Sequence, residues 1–566
     1  METVDQVPAN SLEKIALSCS GGGYRAAAFH LGTMSYLNRL QYQGHPLLEN
    51  VKMLSTVSGG TITGIVYTLQ RQQGKTFPEI YDFLLARLKT LDLVKLGIEK
   101  LNPGAHWQNT NKRRNLINAF AELYDEYFTS GATFAELAEM HCHLEAVAFN
   151  STEFNNAVDF RFRNRGSGIF GNYYLRINQA QAAEIRLADA MAASSCFPGG
   201  FEPILWPTDF LHAASPNLKA LPQTAPVGIM DGGIYDNQGI DTILRYKGSA
   251  ESPYFDCIII SDVSSPYMNP YKPTPEVPQK GFGEITLGQM YRRVRDINTL
   301  MNWILPCLCL FLGFLPLVWN YRNCTGTGIS LTAAVVLLLL WIGKLLLFRR
   351  LLRIPGRLRR WLLEKNPHID FYLKKLSGLD LGAVSLQRAR PLLLDRLNSL
   401  LSLLLNVFLK IVRRLNYNLV YSDENWRNRR IANLIHRLTR EDYETQSRRP
   451  AEERTETVRA QSLFKSDFDT DIGENLGTVA SAAAAFGTTL WFTPEDQLSG
   501  TLDKLLATGE FTLCFNMIQY LEDLLFGDSP PSPEAQPALH GLLEQCKTDW
   551  ASFKKDPFFL QKKTTP

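Results

Sequence analysis

The chain has 566 residues, of which 45% are hydrophobic and 20% are charged, which suffices for one large core with an appended region or for two or three modules. Its 59 basic and 56 acidic residues leave a formal charge of +3, so the overall charge gives no reason to expect a nucleic-acid partner. Nine cysteines without a C-x-x-C pair argue against a disulfide framework or a zinc knuckle. Residues 1–11 are polar and lack the apolar core of a secretory signal, and we expect a reduced, intracellular protein.

The first predicted strand, residues 14–18, is followed by a loop Ser-Gly-Gly-Gly-Tyr-Arg that contains Gly21, Gly22 and Gly23. A helix then begins, so backbone N–H groups of the loop can approach an anion at the positive end of that helix. The anion is either a phosphate or the oxyanion of an acyl-transfer intermediate, and a plain glycine turn before a helix is the alternative. A nucleotide has little support, because neither the full G-x-G-x-x-G pattern nor a Gly-Lys-Ser/Thr ending is present.

The second motif surrounds Ser58. Residues 51–54 predict the end of a buried strand, and apolar residues at helical spacing follow from Ile62 onward. A serine at such a junction, followed by two glycines, indicates a nucleophile elbow that lifts the hydroxyl above the sheet. Thr56 stands where the usual G-x-S-x-G signal has glycine, so a turn with a capping serine is the alternative. An elbow one strand after the glycine loop favours the oxyanion as the ligand of that loop.

A further strand is predicted at residues 144–149, preceded by His141, Cys142 and His143. Alternate residues of a strand point to opposite faces, so only the two histidines can converge, and no third ligand is spaced nearby. We therefore predict no metal site and no other cofactor.

A short strand at residues 227–230 leads into Asp231, which two glycines follow. A carboxylate at the end of a buried strand can lie above the sheet and accept the serine proton, provided that it is within hydrogen-bond reach. The alternative is an ordinary Asp-Gly turn. Residues 257–261 predict another buried strand.

These motifs together resemble the patatin-like lipid acyl hydrolases. The glycine loop is similar to their oxyanion loop, the residues around Ser58 to their nucleophile, Asp231-Gly-Gly to their catalytic aspartate motif, and residues 193–201 to a block that walls the site. The loop is also similar to that of the animal cytosolic phospholipases that share the fold. The resemblance covers about residues 14–261, and residues 478–516 are more weakly similar to C-terminal helices of bacterial members. It implies a three-layer α/β/α core, a Ser-Asp dyad without a catalytic histidine, and hydrolysis of fatty acyl esters in membrane lipids.

The resulting hypothesis gives each candidate site residue a role. Asp231 takes the proton of Ser58, which attacks the ester carbonyl, while the N–H groups of Gly21 to Gly23 hold the oxyanion. Arg25 either steadies the glycine loop or meets a lipid phosphate. His30 is expected to be a packed or capping residue, because no histidine stands where a third triad member would.

Two long apolar runs predict a transmembrane hairpin inserted after the core. Spans at about 297–319 and 328–348 are each long enough to cross roughly 30 Å of hydrocarbon. Arginines flank both outer ends, including Arg292, Arg293, Arg349 and Arg350, whereas the connecting loop has only Arg322. The catalytic domain and both termini should therefore be cytoplasmic. A buried hairpin in a soluble protein is the alternative.

The remaining chain completes the predicted organisation. Residues 397–409 are leucine-rich but too short to span, and we expect an interfacial or oligomer-forming helix there, which makes self-association through the membrane region an expectation. The predicted divisions are a catalytic core at 1–265, a proline-rich linker at 266–283, a membrane region at 284–420, a helical C-terminal region at 421–526 and a linker with a tail at 527–566.

Two other functions are compatible with these motifs. An acyltransferase would use the same dyad with an alcohol in place of water. An inactive patatin-like domain would serve as a membrane interaction module, for which Thr56 and the long insertion leave room. Retention of Ser58, Asp231 and the glycine loop favours the hydrolase.

Overall fold

The computed structural model describes most of the chain: residues 11–164, 170–221, 226–246, 254–265, 271–274, 285–318, 324–365, 370, 383, 385–447, 472–527 and 530–563. It divides into two compact units. The first comprises Met1–Met268 and Leu405–Pro566, and the second comprises Asn269–Leu404. The linker predicted at 266–283 lies outside the described residues except for 271–274, as do residues 319–323 at the start of the predicted hairpin loop.

A mixed sheet is the centre of the first unit. Its strand order is β12-β11-β1-β4-β5-β6-β7-β8, with β10 joined to β5 and β9 joined to β10, and β2 and β3 form a separate hairpin. The strands from β12 to β5 are mutually parallel, and β6 begins an antiparallel part. The strands are β1 Ile15–Cys19, β2 Gln41–Tyr42, β3 His45–Pro46, β4 Val51–Val57, β5 Ala146–Glu153, β6 Val158–Arg163, β7 Phe170–Gly171, β8 Arg176–Ile177, β9 Ile204–Trp206, β10 Val227–Asp231, β11 Cys257–Asp262 and β12 Arg430–Leu434.

Helices cover both faces of this sheet. Alternate residues of β1 and β11, such as Leu17 and Ile259, enter the larger apolar cluster, whereas Ala16 and Ile258 enter a smaller one on the opposite face. The predicted three-layer α/β/α fold is therefore confirmed. The helices are α1 Gly23–Arg39, α2 Gly59–Gln72, α3 Phe77–Thr90, α4 Leu93–Lys100, α5 Leu116–Tyr124, α6 Gln179–Ala183, α7 Leu187–Ser194, α8 Pro216–Lys219, α9 Gly233–Asp236, α10 Ile240–Leu244, α11 Leu287–Val318, α12 Cys324–Lys365, α13 Leu386–Ser402, α14 Leu409–Tyr421, α15 Arg440–Ser447, α16 Glu474–Ala485, α17 Pro494–Leu498, α18 Thr501–Phe526 and α19 Gln536–Lys555.

The C-terminal region is helical, as predicted, but it also supplies the edge strand β12. The sequence around β12 is rich in charge and lies in the region 421–526, for which we predicted helices and no strand. Its inward positions are Ile431 and Asn433, and the Asn433 amide is satisfied by a 2.9 Å hydrogen bond to Thr33 Oγ1. A buried asparagine replaces the apolar residue that would have revealed the alternation of a strand.

Helices α1 and α18 pack closely because each presents a glycine to the other. A Cβ atom on Gly32 would lie 2.1 Å from the carbonyl oxygen of Leu506, and one on Gly509 would lie 2.1 Å from that of Phe29. This contact anchors α1, whose first turn continues the glycine loop.

The second unit contains the two long apolar helices α11 and α12. Lys344 on α12 donates hydrogen bonds to the carbonyl oxygen of Asn298 (2.9 Å) and to Asn302 Oδ1 (2.5 Å), both on α11. The positive charge inside this apolar helix thus has polar partners on the neighbouring helix.

The leucine-rich stretch after α12 differs from the prediction. Helix α13, the π-helical segment Leu403–Phe408 and α14 follow one another directly, so the helical segment extends well beyond residues 397–409. By length and composition alone, Pro391–Tyr421 is long enough to cross a membrane, and the premise that the stretch is too short was wrong. The charged residues that follow the leucines continue the helix rather than end it.

Candidate active site

Ser58 occupies a strained turn between β4 and α2. Its φ of 51° and ψ of −120° lie in a region that non-glycine residues rarely adopt. Its backbone N–H donates a 2.9 Å hydrogen bond to Ser194 Oγ, which holds the turn from the end of α7. The predicted elbow geometry is therefore present: strand, strained serine and helix follow one another.

The same turn accommodates Thr56 in place of glycine. The methyl group of Thr56 faces Gly64 on the next helix, where a Cβ atom would lie only 2.6 Å from it. Thr56 Oγ1 is 2.9 Å from Thr61 Oγ1, which in turn is 2.8 Å from Ser194 Oγ. Gly64 leaves room for the Thr56 methyl group on the opposite side of this contact, so the elbow packs closely against the helix.

The register of β5 brings Asp231 to Ser58. Strand β4 pairs with β5 up to the pair Val57–Asn150. Strand β10 then pairs with β5 from the next residue, in the pair Asp231–Ser151. The ends of β4 and β10 therefore meet on one edge of β5, and the residue after Val57 lies beside Asp231.

The Asp231 carboxyl is buried, with 3% of the residue exposed. Its Oδ1 accepts a 2.7 Å hydrogen bond from the Gly233 N–H. Its buried Oδ2 has no partner of ordinary hydrogen-bond geometry within the described chain. Burial raises the pKa of Asp231 to about 6, although the hydrogen bond from the Gly233 N–H and the nearby Ser58 hydroxyl oppose this rise. A carboxyl with that pKa can exchange a proton near neutral pH.

The three glycines of the loop are not equivalent. The Gly21 N–H donates a 3.0 Å hydrogen bond to the carbonyl oxygen of Asn237, so it is not available to an oxyanion. Among the residues that the structure describes, the N–H groups of Gly22 and Gly23 donate to no protein acceptor. Of the three predicted donors, Gly21 is therefore already engaged, and only the N–H groups of Gly22 and Gly23 are available for an anion.

Position 23 accepts only glycine, for reasons of both backbone conformation and space. Its φ is +62°, and a Cβ atom there would lie 2.2 Å from the carbonyl oxygen of Thr489. That oxygen accepts a 2.7 Å hydrogen bond from the Tyr24 N–H. A Cβ atom on Gly59 would similarly lie 2.1 Å from the carbonyl oxygen of Gly23. The loop and the elbow are therefore in direct backbone contact.

Arg25 supports the segment that covers the loop. Its Nη1 donates a 2.7 Å hydrogen bond to the carbonyl oxygen of Phe486, and its Nη2 lies 3.3 Å from Thr488 Oγ1. These contacts fit the first of the two roles considered for it. Desolvation lowers the pKa of its guanidinium from the usual value.

His30 is a structural residue beneath the loop. Its Nε2 is 2.8 Å from the carbonyl oxygen of Ser20, which can only accept, so Nε2 carries the proton. Its Nδ1 then accepts from the hydroxyl of Ser261 at 2.7 Å. Burial lowers the pKa of His30 to about 4. Both ring nitrogens are occupied, which leaves none to act as a base toward Ser58.

Several contributors to the site were missed in the sequence. Asn237 lies between the glycine loop and the loop that follows Asp231: its Oδ1 is 2.5 Å from where a Cβ on Gly21 would lie and 2.6 Å from where one on Gly233 would lie. It follows Asp231 within one short motif, so proximity in sequence was an available signal. Ser194 contacts the elbow and lies in the block that the family resemblance had already assigned to the wall of the site. Thr489 contacts the loop from a remote part of the chain, and no local pattern marks it.

The described residues contain no group of three or more His, Cys, Asp or Glu side chains arranged to hold a metal ion. His143, from the cluster considered above, has its Nε2 3.2 Å from the hydroxyl of Tyr67.

Comparison with known proteins identifies the family of this region. Residues 17–244 match the sequence model of a family described as Patatin-like phospholipase, so the predicted resemblance is confirmed. Among solved structures, the chain is similar to the human GIVD cytosolic phospholipase A2 in complex with a methyl gamma-linolenyl fluorophosphonate inhibitor and terbium chloride, with 13% identity and a TM-score of 0.27. That alignment covers 51% of this chain and 44% of the human chain, less than half of the human protein's length. No curated protein matches.

Proposed function

Because residues 17–244 of this chain form a patatin-like phospholipase domain, we propose that the protein is a membrane-anchored serine hydrolase that cleaves fatty acyl esters of membrane lipids through Ser58 and Asp231. The family match alone supports lipid acyl hydrolysis in general. The observation that carries the finer proposal is the meeting of β4 and β10 on one edge of β5, with a strained serine beside a buried carboxyl.

The proposed reaction follows from this geometry. Asp231 accepts the Ser58 proton as Oγ attacks the acyl carbonyl, and the oxyanion of the tetrahedral intermediate accepts hydrogen bonds from the N–H groups of Gly22 and Gly23. The bond to the alcohol then breaks, and the proton passes from Asp231 to the leaving oxygen. In the second half, Asp231 takes a proton from water as the water oxygen attacks the acyl-serine. The bond between the acyl carbon and Ser58 Oγ then breaks, Asp231 returns the proton to Oγ, and the fatty acid is released.

Two free N–H groups at the start of α1 are suited to this task. In other enzymes, removal of one such donor costs about 3 to 4 kcal/mol of transition-state stabilisation. The dipole of a 17-residue helix adds favourable potential at the same point.

Membrane lipids serve in this proposal as both substrate and environment. Within the described residues, three helices are long and apolar enough to cross a membrane: Leu287–Val318, Thr327–Arg350 and Pro391–Tyr421. We assign spans to the first two only. The later part of the third helix, α14, belongs to the first unit, where its buried Arg413 donates a hydrogen bond to Asp262 at the end of β11. We therefore assign no span to it.

The orientation rests on the arginines. They flank the outer ends of both proposed spans, while the connecting loop has only Arg322. This distribution favours a cytoplasmic location for the first unit, which contains Ser58 and Asp231, and for both termini. Full-length protein should remain with membranes after alkaline carbonate washing and leave them only in detergent; release by carbonate would refute the anchor.

The catalytic proposal is tested with a fluorophosphonate probe and with vesicles of phosphatidylcholine. Wild-type protein in detergent should be labelled covalently and should release fatty acid, because only an activated serine reacts with the probe. Ser58→Ala should abolish both, whereas Ser552→Ala on α19 should change neither. Fatty acid release by Ser58→Ala at the wild-type rate would exclude the mechanism. Products formed with an added acceptor alcohol would distinguish acyl transfer from hydrolysis.

A further inference from the structure

Helix α14 continues directly from the leucine-rich helical segment and lies entirely within the first unit, which contains the candidate active site. Three of its polar side chains, Arg413, Asn416 and Tyr417, are spaced to share one helix face. Arg413 Nε and the Tyr417 hydroxyl donate to Asp262 Oδ2 at 2.8 and 3.1 Å. Asn416 Nδ2 donates to the carbonyl oxygen of Tyr235 at 3.1 Å.

Both acceptors adjoin the candidate active site. Tyr235 belongs to the short helix α9, which follows Asp231 directly. Asp262 ends β11, and its Oδ1 accepts the N–H of Ser264 at 2.8 Å. Ser264 Oγ in turn accepts from Asn237 Nδ2 at 3.0 Å.

The path then reaches the glycine loop. The carbonyl oxygen of Asn237 accepts the Gly21 N–H at 3.0 Å. A continuous series of hydrogen bonds therefore connects one face of α14 with the oxyanion loop, and a single bond from Asn416 connects it with the loop of Asp231. The family model matches residues 17–244, so Asp262, Ser264 and the residues of α14 lie outside the matched segment.

We propose that Arg413, Asn416 and Tyr417 are positioning residues for the reaction of Ser58 and Asp231. The inference rests on the proposed function. By holding Asp262 and Tyr235, the helix fixes the two loops whose relative placement decides whether the oxyanion donors and the base face the same serine. The catalytic centre is then complete only when the chain beyond the apolar segment has docked.

The buried ion pair of Arg413 and Asp262 indicates that α14 is held in one position on the first unit. The Arg413 and Asp262 side chains are 8% and 0% exposed, and Asp262 also receives Gln238 Nε2 at 3.2 Å. These interactions lower the pKa of Asp262 to about 2, despite burial that acts in the opposite direction. A buried carboxylate with four donors is held in one geometry.

The experiment uses full-length protein in detergent with a short, water-soluble ester, so that partition into membranes does not affect the rate. Asn416→Ala and Tyr417→Phe remove single hydrogen bonds and are compared with Arg414→Gln, an exposed position on the same helix. We expect kcat and the fluorophosphonate labelling rate to fall on the order of tenfold to hundredfold for the first two variants, with KM and Tm near wild type, because small misplacements of reacting groups have effects of this size. The control should match wild type.

A charge-pair variant covers the case of impaired folding. Arg413→Gln leaves a buried, unpaired carboxylate and should lower Tm, whereas the double variant Arg413→Gln with Asp262→Asn should recover Tm but not kcat. Recovery of wild-type kcat by the double variant would overturn the inference, as would wild-type labelling rates in Asn416→Ala and Tyr417→Phe. Absence of labelling in the wild-type protein would instead refute the proposed function itself.

Discussion

Replacement of Asp231 by asparagine should inactivate the protein and also stabilise it, and the second effect should depend on pH. A carboxyl with a pKa of about 6, against roughly 4 in the unfolded chain, holds its proton more tightly in the folded state. At 1.36 kcal/mol per pKa unit the difference is about 3 kcal/mol. The asparagine side chain keeps an oxygen for the Gly233 N–H, so the comparison isolates the charge.

The sign follows from proton linkage. Below about pH 4 the carboxyl is protonated in both states, and no penalty exists. Between about pH 4 and pH 6 the unfolded chain releases the proton before the folded chain does, so the stability of the wild type falls relative to the variant. Above about pH 6 the full penalty of a buried charge is present. Asp231→Asn should therefore have the same Tm as wild type near pH 4 and a Tm several degrees higher near pH 8.

The assay is thermal unfolding of both proteins in one detergent across this pH range, with ester hydrolysis measured in parallel. Asp236→Asn is the matched control, because burial raises the pKa of Asp236 to about 6 as well. Its two oxygens accept the N–H groups of Gln238 and Asp241 at 3.0 and 2.8 Å. Loss of one such bond should offset the gain from removing that charge. A Tm difference between Asp231→Asn and wild type that is equal at both ends of the range would refute the reasoning.

The other predictions concern the pH–rate profile and two glycines. The kcat/KM for a soluble ester should rise with pH through an apparent pKa of about 6, the value of Asp231, because the base must be unprotonated; a profile that is flat through this region would contradict its role. Gly23→Ala should lower the free energy of unfolding by about 1–3 kcal/mol and abolish labelling, since a backbone oxygen lies 2.2 Å from the new methyl group, whereas Gly74→Ala, also at positive φ but with open space around it, should keep full activity. Gly64→Ala should reduce activity by collision with the Thr56 methyl group, and adding Thr56→Gly should restore it; a double variant as impaired as Gly64→Ala would show that this contact is not the cause.

The elbow and the aspartate loop were readable from sequence because each is local. A strand, a serine with two glycines and a helix specify the turn at Ser58 within about a dozen residues, and Asp231 has the same kind of context. Thr56 weakened the prediction only because its compensating partner, Gly64, lies eight residues further on the next helix.

The missing parts of the prediction are those fixed by remote contacts. Nothing near Gly21 indicates that its N–H is taken by Asn237, and nothing near Gly23 indicates the carbonyl of Thr489. The edge strand β12 and the docking face of α14 were hidden by charged and polar residues, which are buried here because each has a specific partner. A search for hydrophobic periodicity detects elements that pack through apolar faces. Strand β12 and helix α14 also pack through polar side chains, which such a search does not detect.

The order of strands gives the membrane region a place in the construction of the site. Strands β11 and β12 are parallel neighbours, and parallel neighbours require a crossover connection between them. In this chain the crossover contains the whole second unit, residues 269–404. The sheet edge beside β11, the helix that packs on α1 and the residue that caps Gly23 are therefore all synthesised after the apolar helices. Because α14 likewise follows the apolar helices in the chain, the positioning contacts inferred for it form only after the proposed anchor has been synthesised.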